Sequence, residues 1–397
     1  MKELKLKIDG DKSLWVISIA LAITSLLAVF SASSHLAAQG SGSMAKIMVK
    51  HLGFLVTGFV VMYIAHRQPY RRYGPLSLIL LPLVAFLLVL TLLQGQTIND
   101  ANASRWLRVG GFTFQTSALA SLVLLIYIAR YLTQNIGKHR LRHSLVFLII
   151  PILGVCGLVL PANLSTAAII FTLSMMLMFI GQYPIKYLLG ILLSGLLLLA
   201  MFILLVKAFP GISNRVDTWE SRIESFVNGT SEDGYQVEKA RMAIANGGVL
   251  GRGAGKSVHK NFLPQSNSDF IYAVILEEYG LVGGLVVLVL YVMLFIRILR
   301  IATKAPTFFG SLLTVAGGSG IMLQAFVNMG VAVNIFPVTG QTLPLISAGG
   351  SSIWMSFMAL GIILSVSRSF EEEEIAQSAE GELAEYIDAS NQSIADG

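Results

Sequence analysis

Long apolar runs alternate with short polar intervals along nearly the whole chain. A helix that crosses a bilayer needs about 20 predominantly apolar residues. Runs of that order centre on residues 14–34, 47–66, 76–94, 116–132, 145–160, 164–181, 185–206, 270–296, 308–332 and 345–367. The pattern predicts an all-α, polytopic integral membrane protein with about ten transmembrane helices. One interval breaks the rhythm. Residues 207–269, between the seventh and eighth runs, form the longest polar stretch before the C-terminal tail and predict a large loop. The first run follows KELKLKIDGDK, but its apolar core is long and no separate soluble domain follows. It reads as an uncleaved first span and not as a signal peptide.

Composition sharpens this picture. Only 13% of the residues are charged, against about 25% in a soluble domain. The chain lacks the charge to cover a water-facing surface. Its 28 Lys and Arg exceed its 22 acids, and a basic excess suits lipid headgroups or a phosphorylated substrate. Much of the excess reads as topology signal. With the N-terminus inside, 16 of the basic residues fall in cytoplasmic segments, and only Lys46, Lys50, Arg105 and Arg108 fall in short outer loops. The positive-inside rule then places both termini in the cytoplasm and residues 207–269 outside. From Glu371 onward there are nine acids and no Lys or Arg, so 371–397 reads as a disordered acidic cytoplasmic tail.

Candidate acid–base chemistry draws on few residues. Between Asp11 and Asp217 the sole acid is Asp100; beyond the polar loop stand Asp269, Glu277 and Glu278. Asp269 sits where the polar loop meets the eighth apolar run. A carboxylate there is costly to desolvate and is a functional candidate by default. It is also well placed to cap a helix, and the two roles can coexist. Glu277 and Glu278 lie about two turns, roughly 12 Å, further along. They read as packing or ion-pair partners for basic groups on neighbouring spans. Cys156, alone in an apolar run, excludes a disulfide framework and a thiolate metal site. His139 and His143 have a spacing that suits metal on a helix, yet basic neighbours without acids make a solvated loop the better reading.

Three further stretches carry weight. GRGAGKS at Gly251–Ser257 resembles a phosphate loop, but Leu250 stands where the motif needs Gly and no strand precedes it. Its glycines instead suit close backbone approach, to a ligand or to packed chain, or a flexible loop. The 95–115 interval reads as a short interfacial helix with Trp106 and Phe112 at headgroup depth. The last outer loop, VNIFPVTGQTLPLISAGGSS, is uncharged and rich in Gly, Pro, Ser and Thr, consistent with a plain turn or with backbone lining a wet cavity.

Several motifs, in order, resemble the SEDS family of FtsW/RodA/SpoVE-type cell-wall polymerases. They are SRWLRVGGFTFQTS, RIESF, GYQ at Gly234–Gln236, LPQSNSDFIYAVILEEYG and NMGVAVNIFPVTGQTLPLISAGGSS. The resemblance covers about 14–368. FSASSHLA near residue 30 and the charged tail are similar to the division branch, FtsW. The resemblance implies a peptidoglycan glycosyltransferase that polymerises undecaprenyl-diphosphate-linked lipid II on the outer face of the bacterial cytoplasmic membrane, at the septum. It implies Asp269, within Ser268-Asp269-Phe270, as the catalytic acid. Arg105, Arg215, Arg222, Lys239, Lys256 and Lys260, with Gln236, Thr339 and Ser351, become candidate substrate contacts. A divalent cation, Mg or Mn, is a possible helper for the diphosphate. Implied partners are a class B penicillin-binding transpeptidase (FtsI-like), other division proteins and membrane lipid, with no nucleic acid. The chain departs from the family at Ala118, Ser121, Asn163 and Gln265, where charged side chains are usual. Rival readings are a lipid II flippase, a RodA-like elongation polymerase, or a scaffold without chemistry.

Overall fold

The computed structural model describes residues 9–38, 44–94, 106–109, 112–138, 141–208, 215–228, 232–263 and 266–370. The expected acidic tail at 371–397 lies outside them, as do Arg105 and Gln265. The helices are α1 (Lys12–Ala38), α2 (Met44–Arg67), α3 (Tyr73–Gln94), α4 (Thr116–Gln134), α5 (Leu141–Ser144), α6 (Ile150–Val159), α7 (Leu164–Ile180) and α8 (Ile185–Ala208). Then follow α9 (Arg215–Asn228), α10 (Glu232–Gly247), α11 (Ile271–Lys304) and α12 (Phe308–Ala332), and α13 (Ser351–Phe370). A π-helical turn, Leu145–Ile149, joins α5 to α6. Among the described residues nine helices are long and apolar enough to cross a membrane, and α7 is a tenth, shorter apolar helix. The molecule is an all-α, multi-pass membrane protein.

Three expectations need correction. The interval before α4 is not a helix where it is described: Leu107–Val109 (β1) and Phe112–Phe114 (β2) pair antiparallel, with Val109 opposite Phe112. β-Branched and aromatic residues such as Val109, Phe112 and Phe114 favour paired strands over a helix. The last span starts six residues later than the hydropathy suggests, because Leu345 (φ 66°) and Gly350 (φ 54°) take left-handed backbone that a helix cannot contain. The polar 207–269 interval, read only as a loop, holds α9 and α10.

Two apolar cores share the bundle. One joins α1, α2, α11, α12 and α13, and includes Leu14, Met62, Tyr291 and Phe357. The other joins α3, α4, α6, α7 and α8, and includes Leu124, Leu148 and Leu177. α4 and α12 contribute to both. Close approach is set by small residues: a Cβ on Gly58 would lie 2.3 Å from the Phe357 ring. Polar contacts sort the helix ends onto two faces. On one, Asp9 pairs with Arg67 and Asp11 with Arg297, each at 3.6 Å. There the Asp11 N–H also donates to Ser367 Oγ at 2.9 Å, binding the start of α1 to the end of α13. The opposite face carries the start of α11, the start of α13 and the 333–350 loop.

Candidate functional site

The site is organised by a helix that breaks. α11 is continuous in hydropathy, yet Gly280 inside it has φ 66° and ψ −167°. Only glycine adopts that conformation without strain. The break leaves backbone groups without helical partners, and the glycine-rich segment supplies them. Arg252 and Gly253 N–H donate to the carbonyls of Glu277 (3.0 Å) and Glu278 (2.9 Å). Leu281 and Val282 N–H donate to the carbonyls of Gly248 (3.0 Å) and Val249 (3.2 Å). The chains meet without room for side chains: a Cβ on Gly251 would stand 2.2 Å from the Glu278 carbonyl oxygen. The glycines therefore serve close backbone packing. The phosphate-loop likeness fails on this ground as well, since two of its N–H groups are already bonded to α11.

Asp269 stands at the head of the lead segment, Ile271–Tyr279. The capping position is Phe270, with no side-chain capping bond, so Asp269 lies one residue before the cap. Its backbone is pinned from two directions. Asn328 Nδ2, from α12, donates to the Asp269 carbonyl at 2.8 Å and to the Gln341 carbonyl at 2.7 Å. Ser347 Oγ donates to the Ser268 carbonyl at 2.6 Å, and Ala348 N–H to that of Asn267 at 3.0 Å. The uncharged last loop is thus no plain turn; it is the clamp that holds the Asp269 motif. Its Gln341 Nε2 reaches on to Thr166 Oγ1 at the start of α7, at 2.9 Å. The Asp269 residue itself is half-buried. A half-buried acid on a fixed backbone is a suitable candidate for a general base.

The cations expected around Asp269 are placed unevenly. Arg222 is half-buried on α9, and Lys256 is exposed. Arg215 opens α9; its side chain lies outside the described residues, as does all of Arg105. Lys239 on α10 lies over the Tyr235 and Phe262 rings, at 5.1 and 5.8 Å. Gln236 and Thr339 are half-buried. Ser351 is buried and accepts the Gln115 N–H at 3.0 Å, tying α13 to the approach to α4. Lys260 departs from expectation. Its side chain is 6% exposed, donates to the Gly255 carbonyl at 2.8 Å and lies 3.8 Å from Glu278. An ammonium engaged in this way is closed to a bulky diphosphate.

Glu277 and Glu278, fully buried, also differ from expectation in where their partners lie. Glu277 accepts from His259 Nδ1 at 2.8 Å, from the Val258 N–H at 3.2 Å and from Ser257 Oγ. Glu278 accepts from the Ser257 N–H at 3.2 Å and from Ser31 Oγ of α1. Their basic partners come from the loop, not from neighbouring spans. No sequence signal linked an acid to a Lys 18 residues earlier; only the fold does.

Beneath the last loop lies a cavity of about 90 Å³, lined by Gln115, Ser121, Thr166, Gln324 and Gln341 among apolar residues, with no charged side chain. Ala118 and Ser121, two of the departures from the family pattern, form part of its wall. A third, Asn163, caps α7 by accepting the Thr166 N–H at 3.3 Å. As for metal, no three His, Cys, Asp or Glu side chains converge among the described residues. A protein-held ligand cage does not fit these residues.

Fold and site together define a multi-pass membrane protein that holds Asp269 at one face of its bundle, at the head of a broken helix. The chain belongs to the family of cell cycle proteins comprising FtsW, RodA and SpoVE, whose model matches residues 11–372. It is 30% identical to stage V sporulation protein E of Bacillus subtilis over 91% of this chain and 98% of that protein. It is 31% identical to a probable peptidoglycan glycosyltransferase FtsW of Geobacter sulfurreducens, covering 90% of this chain and 95% of that one. Among solved structures it resembles a chain of a peptidoglycan synthase complex that coordinates polymerization and crosslinking. That likeness has a TM-score of 0.71 and 26% identity, covering 92% of this chain and 99% of the other. Rod shape determining protein RodA of Thermus thermophilus aligns with a TM-score of 0.65 at 25% identity, covering 91% and 97%.

Proposed function

We propose that the protein is a peptidoglycan glycosyltransferase that polymerises lipid II at the outer face of the cytoplasmic membrane. The observation that carries the reading is the pinned backbone of Asp269 at the head of the α11 lead segment. Its carboxylate acts as general base on the acceptor sugar hydroxyl, while cations of the 207–269 region stabilise the diphosphate leaving group. Arg222 and the exposed Lys256 are better placed for that than Lys260. A divalent ion would enter on the diphosphate oxygens, since Mg²⁺ is commonly held by one or two carboxylates plus substrate phosphates. Relatives named as probable peptidoglycan glycosyltransferases support the assignment. A flippase would move the diphosphate through the bundle, where charge should line the path; the charge-free cavity favours polymerisation.

The basic-residue asymmetry supports cytoplasmic termini and an external 207–269 region. Thiol labelling of a cysteine introduced at Ser231, in a Cys156→Ala background, tests this: label entering solely from the cytoplasm overturns it. The division branch, a septal location and a class B transpeptidase partner belong to the same proposal, as does the 371–397 tail as a separate cytoplasmic segment. The decisive assay incubates purified protein with lipid II, with and without the transpeptidase. Glycan formation by wild type and its loss in Asp269→Asn support the enzyme. Equal glycan from both removes Asp269 from the chemistry.

A further inference from the structure

Three buried features lie outside the chemistry assigned so far: the charge-free cavity, the Ser25–His51 hydrogen bond, and the cluster of Glu277, Glu278, Ser257, His259 and Lys260. The cluster carries an inference. It stands at the downstream end of the α11 lead segment, whose upstream end is Asp269. Every residue from Ile271 to Glu278 is buried, so the segment is held by protein on all sides and moves as a short rod. At its downstream end the rod is joined to the glycine segment by the two backbone bonds to Glu277 and Glu278 carbonyls. The two carboxylates add a second tie. Glu278, 1% exposed, accepts from the Ser257 N–H and the Ser31 hydroxyl and lies 3.8 Å from the Lys260 ammonium, an ion pair and not a hydrogen bond, while its Oε2 has no hydrogen-bond partner among the described residues. Glu277, at 0%, receives Val258 N–H and His259 Nδ1. A buried carboxylate with an incomplete set of donors is a costly arrangement, retained only where something depends on it.

We propose that Lys260 and Glu278 form a buried charge latch that fixes the register of the lead segment, and so the position of Asp269. Both are positioning residues. They act through the rod and do not touch substrate. The proposal rests on the reading of Asp269 as the general base, but its physical core, the latch, can be tested apart from it.

Burial makes the latch testable, because removing one partner leaves an uncompensated charge whereas replacing both by neutral side chains of similar volume is tolerated. Glu278→Gln, Lys260→Met and the double variant are purified and assayed with lipid II alone. Amide hydrogen exchange at Gly253, Leu281 and Val282 is measured in parallel, with no substrate present. Each single change is expected to lower kcat at least about 10-fold with KM near wild type, and to speed exchange at these amides. The double variant is expected to return to within about 3-fold of wild-type kcat and to near wild-type exchange. If the single variants do not fold, a folded and active double variant gives the same support, and a double variant that also fails to fold overturns the latch. Wild-type kcat and exchange in both single variants overturn it as well. So does a raised KM in Lys260→Met that the second change leaves in place, since that is the behaviour of a diphosphate contact. Should Asp269→Asn prove active, the exchange measurements still decide the latch, and only its link to catalysis falls.

Discussion

The two halves of α11 belong to one helix and meet different surroundings. Before Gly280, the lead segment is buried on every side and contains two carboxylates. After it, Gly284, Val287, Tyr291, Leu294 and Ile298 form a buried stripe, while Leu281, Leu285, Val289 and Val292 are 46–59% exposed on the opposite side. A helix apolar all round, with one face packed on protein and the other exposed, is a membrane span whose outer face meets lipid. Lipid offers no hydrogen bonds, so the downstream half carries its charges, Arg297, Arg300 and Lys304, near its end, as intramembrane charges are costly. The lead half tolerates Glu277 and Glu278 because the 252–260 chain supplies N–H, hydroxyl and imidazole donors and places the Lys260 ammonium 3.8 Å from Glu278. Apolar sequence therefore marks two environments, protein interior and bilayer. The break between them lets one helix both span and hold Asp269 at its head.

The largest effect on this arrangement should come from its upstream end. Asp269→Asn keeps the shape of the side chain and leaves the Asn328 and Ser347 bonds to the backbone intact. The variant should insert and fold normally yet lose about 100- to 10,000-fold in glycan-forming rate. Initial rates on lipid II, alongside a melting curve, check it; a near wild-type rate refutes the general-base role.

Next comes the joint itself. Gly251→Ala places a Cβ 2.2 Å from the Glu278 carbonyl at a residue with φ 78°. Overpacking and left-handed strain each cost about 1–3 kcal/mol, so melting should fall by several degrees and activity with it. Gly137→Ala is the control: it too has positive φ, 71°, but open space for a Cβ. A drop no larger than the control's would mean that strain alone, not the close approach at the joint, sets the cost. Asn328→Ala removes the clamp on Asp269 from α12 and leaves two carbonyls without their donor. The loss of such a buried bond is worth about 1–3 kcal/mol. A fall in kcat beyond any loss of stability would place the clamp in the positioning of the acid, and unchanged kcat would not.

Sequence reading reached the scaffold because ten apolar runs of spanning length leave little choice of class. It singled out Asp269 as a candidate because an acid at a polar–apolar boundary is conspicuous. The break at Gly280 escaped it, since the apolar run continues through the glycine and hydropathy does not report backbone dihedrals. The helices α9 and α10 escaped a search for apolar runs of spanning length, although Val216, Trp219, Ile223 and Phe226 recur in α9 at helical spacing. Lys260 was grouped with substrate cations for want of any local cue to Glu278; their pairing exists only once Gly248–Gly253 has folded against α11. The clamp by Asn328 was likewise invisible, being a contact between residues 59 apart.

The smallest effect should come from the far end of α11, and it sharpens the contrast between its ends. Arg297 and Asp11 are 3.6 Å apart, with side chains 35% and 16% exposed. A partly exposed pair is weakened by water and screened by salt, and typically contributes about 0.2–1 kcal/mol. Asp11 also caps α1, accepting the Leu14 N–H at 3.0 Å. Asp11→Asn separates the two roles, because asparagine caps a helix about as well as aspartate. Melting of the purified variant should drop slightly in low salt and match wild type in high salt, with glycan synthesis unaltered. Glu278→Gln, at the buried end of the same helix, should show a larger loss that salt does not erase. Equal losses, with equal salt dependence, would mean that burial in the lead segment does not distinguish the two ion pairs.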